Sequence, residues 1–160
     1  MGTPSPGDPF RSIAMWYFRA ALAYLSLGLL LGAGMIWFGN DNFQFLHGHM
    51  LLVGTGLFAA YGAGFRWVAS RVDGGPLPGV SAATANVQFW LANVVLPGML
   101  AGSVLPVGLG LDRVGVLFGF LEAAAGLLFA QLLSRALKTP EPGQPQNRDV
   151  PRTPTNQGQT

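Results

Sequence analysis

The stretch Phe45–Trp67, FLHGHMLLVGTGLFAAYGAGFRW, decides how this chain is read. It is continuously apolar and reaches the ~20 residues that an α-helix needs to cross a bilayer. It also carries both histidines of the protein, His47 and His49, near one end. An imidazole in hydrocarbon needs a partner. Two of them, one residue apart, raise two readings: ligands for a haem or a metal, or interfacial side chains bonded to a carbonyl or a headgroup.

Working outward, the whole chain has the same character. Of its 160 residues, 50% are hydrophobic and 10% are charged, where soluble domains carry about a quarter charged residues. The charges avoid four long apolar segments, at about 16–38, 45–68, 84–105 and 114–137. None of these shows the alternation of a barrel strand, and an open strand in lipid would leave its backbone groups unpaired. The expectation is an all-α integral membrane protein. Short polar connections such as Gly39-Asn40-Asp41-Asn42 and Gly108–Arg113 favour antiparallel neighbours, and hence an up-down four-helix bundle. Residues 1–15 and the Pro-, Gln- and Thr-rich stretch 138–160 read as disordered segments, too poor in apolar groups to offset ordering entropy.

Arg11, Arg19, Arg66, Arg71, Arg135, Lys138, Arg148 and Arg152 fall on one side of this arrangement, and Arg113 on the other. The positive-inside rule then puts both termini in the cytoplasm and the two histidines near the outer face. With no cysteine in the chain, disulfides, iron–sulfur clusters and thiol nucleophiles are excluded. No Gly-rich phosphate loop, paired carboxylate or Ser/His/Asp arrangement is present. Gly28-x-x-x-Gly32, Gly98-x-x-x-Gly102 and Gly115-x-x-x-Gly119 are small-residue pairs of the kind that let helices approach closely. Trp16, Tyr17, Trp37 and Trp67 lie at expected membrane boundaries, where amphipathic rings anchor.

Residues two apart on an α-helix point about 200° apart. His47 and His49 therefore cannot both face one ligand from a regular helix. Steps of seven lead from His47 to Gly54 and Tyr61, and from His49 to Gly56 and Ala63, with Ala60 beside the latter. Either row offers small residues against which a flat macrocycle or a second helix fits. Glu122 is the one acidic residue inside an apolar segment, nine residues past Arg113 and so about 13 Å along the axis. Its two readings are a proton relay and a neutral acid bonded across helices to Asn93 or Gln131. Pro97 frees the carbonyl of Asn93, one turn earlier, and predicts a kink there.

The run His47-Gly48-His49-Met50-Leu51-Leu52-Val53-Gly54, with Tyr61-Gly62 beyond it, resembles the second helix of haem–copper oxidase subunit I. It is closer still to the nitric oxide reductase and cbb3-like branch, where His-x-His-x-x-Leu-x-Gly precedes an aromatic-Gly pair. Gln88-Phe89-Trp90-Leu91-x-Asn93-x-x-Leu96-x-Gly98-Met99 is similar to the following helix of that family. The resemblance spans roughly residues 45–105. It implies a bacterial-type inner membrane and a respiratory setting, with a helix-two histidine as axial ligand of a haem b. His49 is preferred as the deeper of the two, with His47 next. Met50 or Met99 would supply a sixth ligand, as in His/Met cytochromes. The chain lacks the later helices and the third histidine of the family's copper centre. The resemblance therefore implies an accessory or assembly subunit of an oxidase or nitric oxide reductase, not a complete enzyme. Copper is the alternative cofactor, since His47, His49 and Met50 suit cuprous copper, although three ligands from four residues demand a distorted turn. A structural subunit without any cofactor is the remaining alternative.

Overall fold

The computed structural model describes residues 5–75, 77–104 and 112–138. The described residues contain four helices and no strand: α1 (Asp8–Phe38), α2 (Gln44–Asp73), α3 (Ala82–Val104) and α4 (Asp112–Lys138). Three of them, α1, α2 and α4, are long and apolar enough to cross a membrane. The third, α3, is 23 residues long. It carries Asn86, Gln88 and Asn93 but no charged residue, and it continues through Pro97. The expected turn over Gly108–Arg113 and the expected disordered tail lie mostly outside the described residues.

Helix α1 starts at Asp8, well before residue 16, so the expected disordered segment 1–15 is helical over its second half. The local chemistry explains the difference. Pro9 sits in the first turn, where its missing N–H costs nothing, and Asp8 complements the positive end of the helix dipole. Tertiary contacts finish the job. Asp73, at the end of α2, accepts hydrogen bonds from Ser5 Oγ and Gly7 N, both at 2.9 Å. It also pairs with Arg11, which in turn reaches Asp8 at 3.1 Å. The Ser5 hydroxyl first, then the Gly7 N–H and Arg11, hold the Asp73 carboxyl below its ordinary range. The Ser5 N–H does the same for Asp8. At its other end α1 stops at Gly39, left-handed at φ 59°. The N–H groups of Gly39 and Asn40 return to Ile36 and Met35 carbonyls, satisfying the last turn as a Schellman motif.

Helix α2 is not uniform. Gln44–His49 and Phe58–Asp73 are α-helical, whereas Met50–Leu57 is a π-helix. Thr55 Oγ1 donates to the Met50 carbonyl five residues back at 3.2 Å. The wider turn changes the phase of the buried stripe. It steps by four through Met50, Gly54 and Phe58, then by three or four through Tyr61, Phe65 and Val68.

The closest helix pairs are α1 with α2 and α3 with α4, each antiparallel. In the first pair Gly54 lies under Tyr24, where an added Cβ would sit 2.5 Å from the ring. In the second, Gly98 lies under Phe118, where a Cβ would be 2.6 Å away. The two pairs meet at Tyr17, which is fully buried and not a boundary anchor as its position suggested. Its ring lies 5.3 Å from Phe58, 5.3 Å from Tyr61 and 5.0 Å from Phe89 by centroids. Phe129 of α4 closes the cluster against Tyr61 at 4.7 Å and Phe65 at 5.4 Å. Tyr17 Oη donates to Gln88 Oε1 at 2.7 Å, which gives α3 an internal partner for its buried amide.

Candidate functional site around the two histidines

His47 and His49 leave the first turns of α2 in different directions. His47 turns toward α1. Its Nδ1 lies 2.9 Å from the Gly28 carbonyl, and its ring rests on Gly32, where an added Cβ would be 2.6 Å from Cε1. The Gly28-x-x-x-Gly32 pair is thus a seat. Gly32 admits the imidazole, and Gly28 admits Leu51, whose Cδ2 would lie 2.8 Å from a Cβ there. His49 instead folds back on its own helix. Its Nδ1 lies 3.0 Å from the Phe45 carbonyl, and its ring sits 3.8 Å from the Phe45 ring by centroids, tilted 31°.

Both contacts fix the tautomer. A carbonyl only accepts, so each Nδ1 carries the proton and donates it. Each Nε2 is left with its lone pair, the form in which neutral imidazole binds a metal. Metal-ligating histidines commonly show this second hydrogen bond. The two rows traced by sevens separate cleanly. Gly54 and Tyr61, in line with His47, are buried, whereas Gly56, Ala60 and Ala63, in line with His49, are exposed. Both histidines are half-buried, but His47 packs against α1 and His49 against its own helix.

The remaining candidate residues lie elsewhere. Met50 is buried and lines a groove of about 600 Å³ between α1 and α3, with Tyr24, Leu46, Asn93, Pro97 and Leu100. Neither histidine is among the lining residues. Met99 is half-buried at the edge of the core on α3. Met50 thus lines a groove that neither histidine enters, and the rings of His47 and His49 engage different partners. Among the described residues, no three His, Cys, Asp or Glu side chains gather closely enough to hold a metal ion.

Glu122 is buried, and neither carboxyl oxygen has a hydrogen-bond partner. The expected bond to Asn93 or Gln131 is not formed. Asn93 donates its side-chain amide to the Phe89 carbonyl at 2.8 Å on its own helix, and Gln131 is exposed. Tyr17 and Tyr61 were not singled out from the sequence as interior polar groups. A signal was available for Tyr17, which falls in line with Phe10, Ala14, Ala21 and Gly28 at steps of three, four and seven.

In comparison with known proteins, no family model, no curated protein and no solved structure matches this chain.

Proposed function

We propose that the chain is a small accessory or assembly subunit of a respiratory membrane complex of the haem–copper oxidase or nitric oxide reductase kind. It sits as an up-down four-helix bundle in a bacterial-type inner membrane, with both termini cytoplasmic and the histidines near the outer face. In this reading His49 is the ligand of a haem b. The observation that carries it is the Nδ1 contact of His49 with the Phe45 carbonyl, which leaves Nε2 as the ring nitrogen that would bind the iron. Further along α2, Gly56, Ala60 and Ala63 are small and exposed. The resemblance over residues 45–105 supplies the respiratory context. A bound haem b would supply one-electron transfer or diatomic-gas binding. Met50 faces the interior groove, so the sixth ligand would come from a partner subunit or a second copy of the chain.

A structural subunit with no cofactor is the second reading, and His47 favours it. Its bond to Gly28 and its seat on Gly32 account for this histidine as a latch between α1 and α2. Copper is the weakest reading, because the rings diverge. Purification in mild detergent followed by a dithionite-reduced visible spectrum separates the three. Sharp reduced-haem bands that disappear in His49→Ala support the first. A colourless protein that still copurifies with a larger complex supports the second, and stoichiometric copper without haem the third.

A further inference from the structure

Four interior polar atoms stand out among the described residues because nothing satisfies them: Tyr61 Oη, Gln88 Nε2 and both carboxyl oxygens of Glu122. They come from α2, α3 and α4, and Tyr17 of α1 joins them. Tyr17 Oη is bonded to the other end of the Gln88 amide at 2.7 Å, and its ring lies 5.3 Å from that of Tyr61. Glu122 lies one turn before Gly126 on α4, and Gly126 faces Tyr61 Oη. Gln88 is 0%, Tyr61 1% and Glu122 9% exposed, so bulk solvent does not reach them.

The orphans are chemically complementary. Tyr61 Oη and Gln88 Nε2 donate, and the Glu122 oxygens accept. Exchanging the oxygen and nitrogen of the Gln88 amide, which crystallographic practice treats as an assignment, moves the orphan from a donor to an acceptor without removing it. A buried polar group left unpartnered forfeits its full hydration. A small molecule that both donates and accepts satisfies all of them at once. Buried water does this, typically with about three hydrogen bonds per molecule. Gly126, one turn beyond Glu122 on α4, lets Tyr61 Oη approach that helix closely. A Cβ added there would have Tyr61 Oη, at 3.3 Å, as its one neighbour within 4 Å.

We propose that the centre of the bundle is a water-binding site, in which ordered water bridges the Glu122 carboxyl to Tyr61 Oη and the Gln88 amide. The site joins side chains from all four helices. It also gives the carboxyl of Glu122 a bonded route for proton exchange with its neighbours.

Tyr61→Phe tests this, because it keeps the ring against Phe129 and removes only the hydroxyl. Bridging water predicts a lower melting temperature in detergent and a loss of infrared O–H stretching intensity that shifts in H₂¹⁸O. It also predicts that Tyr61→Phe and Glu122→Leu, two side chains with no direct bond, are coupled: the double variant loses less than the sum of the single losses. A Tyr61→Phe protein that melts higher than the parent, or an ¹⁸O-sensitive band that Tyr61→Phe leaves unchanged, overturns the proposal. If Glu122→Leu fails to fold, the melting shift and isotope shift of Tyr61→Phe alone still decide it.

Discussion

The two ends of the α1–α2 pair are built from equally apolar sequence and end up differently. Around Tyr17, side chains of all four helices interlock, and Tyr17, Phe58, Tyr61 and Phe65 are each 1% exposed or less. Toward the histidine end, α1 contributes no buried residue after Gly28, and Gln44–His49 contributes none. Ile36 and Trp37 there are more than 80% exposed. Hydrophobicity alone does not distinguish these ends. What distinguishes them is whether the second helix pair covers the first, as Phe89 of α3 does against Tyr17 and Phe129 of α4 against Tyr61. One end is filled from within, while the other leaves its surface to lipid, a cofactor or a partner.

The sharpest way to break this contrast is to truncate a large ring at each end. Tyr17→Ala empties a site with four ring partners, and loss of a buried aromatic costs about 3–5 kcal/mol. Trp37→Ala, 84% exposed, is expected to shift stability within about ±0.5 kcal/mol. Thermal unfolding in a single detergent checks both, and a comparable loss for the two would erase the distinction.

Next in size is filling a glycine. Gly54→Ala drives a methyl into Tyr24 near its Cβ and Cγ, and overpacking of this kind costs about 1–3 kcal/mol. Gly34→Ala meets nothing within 4 Å and should be neutral or stabilising, by the ~0.5–1 kcal/mol that Ala gains over Gly in a helix. A melting loss in Gly54→Ala larger than any gain in Gly34→Ala would sharpen the account, and a neutral Gly54→Ala would damage it.

The histidines differ by less. His47→Ala removes the side-chain bond to the Gly28 carbonyl and the ring seated on Gly32, a loss of about 0.5–1.5 kcal/mol. His49→Ala loses only a bond within its own helix and should melt close to the parent.

The smallest effect lies at the charged end. The native carboxyls of Asp8 and Asp73 are held below their ordinary value of 3.8. Groups with lowered native pKa values contribute stability above the unfolded pKa and lose it as pH falls through the folded one. An acid titration from neutrality should therefore show no loss from this cluster until below about pH 4, the ordinary carboxylate value. Asp73→Asn should be less stable than the parent at pH 7 and converge with it in strong acid. A gap that widened on acidification would contradict the assignment.

Much of this contrast was legible in the sequence. The long apolar runs located the helices to within a few residues, apart from the start of α1, where Asp8 and Pro9 extend the helix through contacts with Asp73 that lie far away in sequence. The Gly28/Gly32 spacing announced a close approach, but only the fold shows that His47 fills it. Gly54 and Tyr61 are buried and Gly56 and Ala63 exposed, but the π-helical segment Met50–Leu57 interrupts the steps of seven that tied these rows to His47 and His49. Which row faces inward depends on the π-helical turn at Met50–Leu57, and no local pattern in Gly54-Thr55-Gly56 betrays it. The depth argument that favoured His49 over His47 does not separate them, because the side on which a ring lies matters more than its position along the axis. Glu122 was visible as an anomaly, but its partners were not, since Tyr61 and Gln88 read as ordinary interior residues.

Reduced-minus-oxidised spectra of detergent-purified parent, His47→Ala and His49→Ala proteins, recorded beside their melting curves, test the central claim most directly. A haem b spectrum in the parent that survives His47→Ala at lower melting temperature and vanishes in His49→Ala without a melting change is the predicted result. A spectrum that survives His49→Ala, or no haem spectrum in a parent that copurifies with its complex, would contradict it.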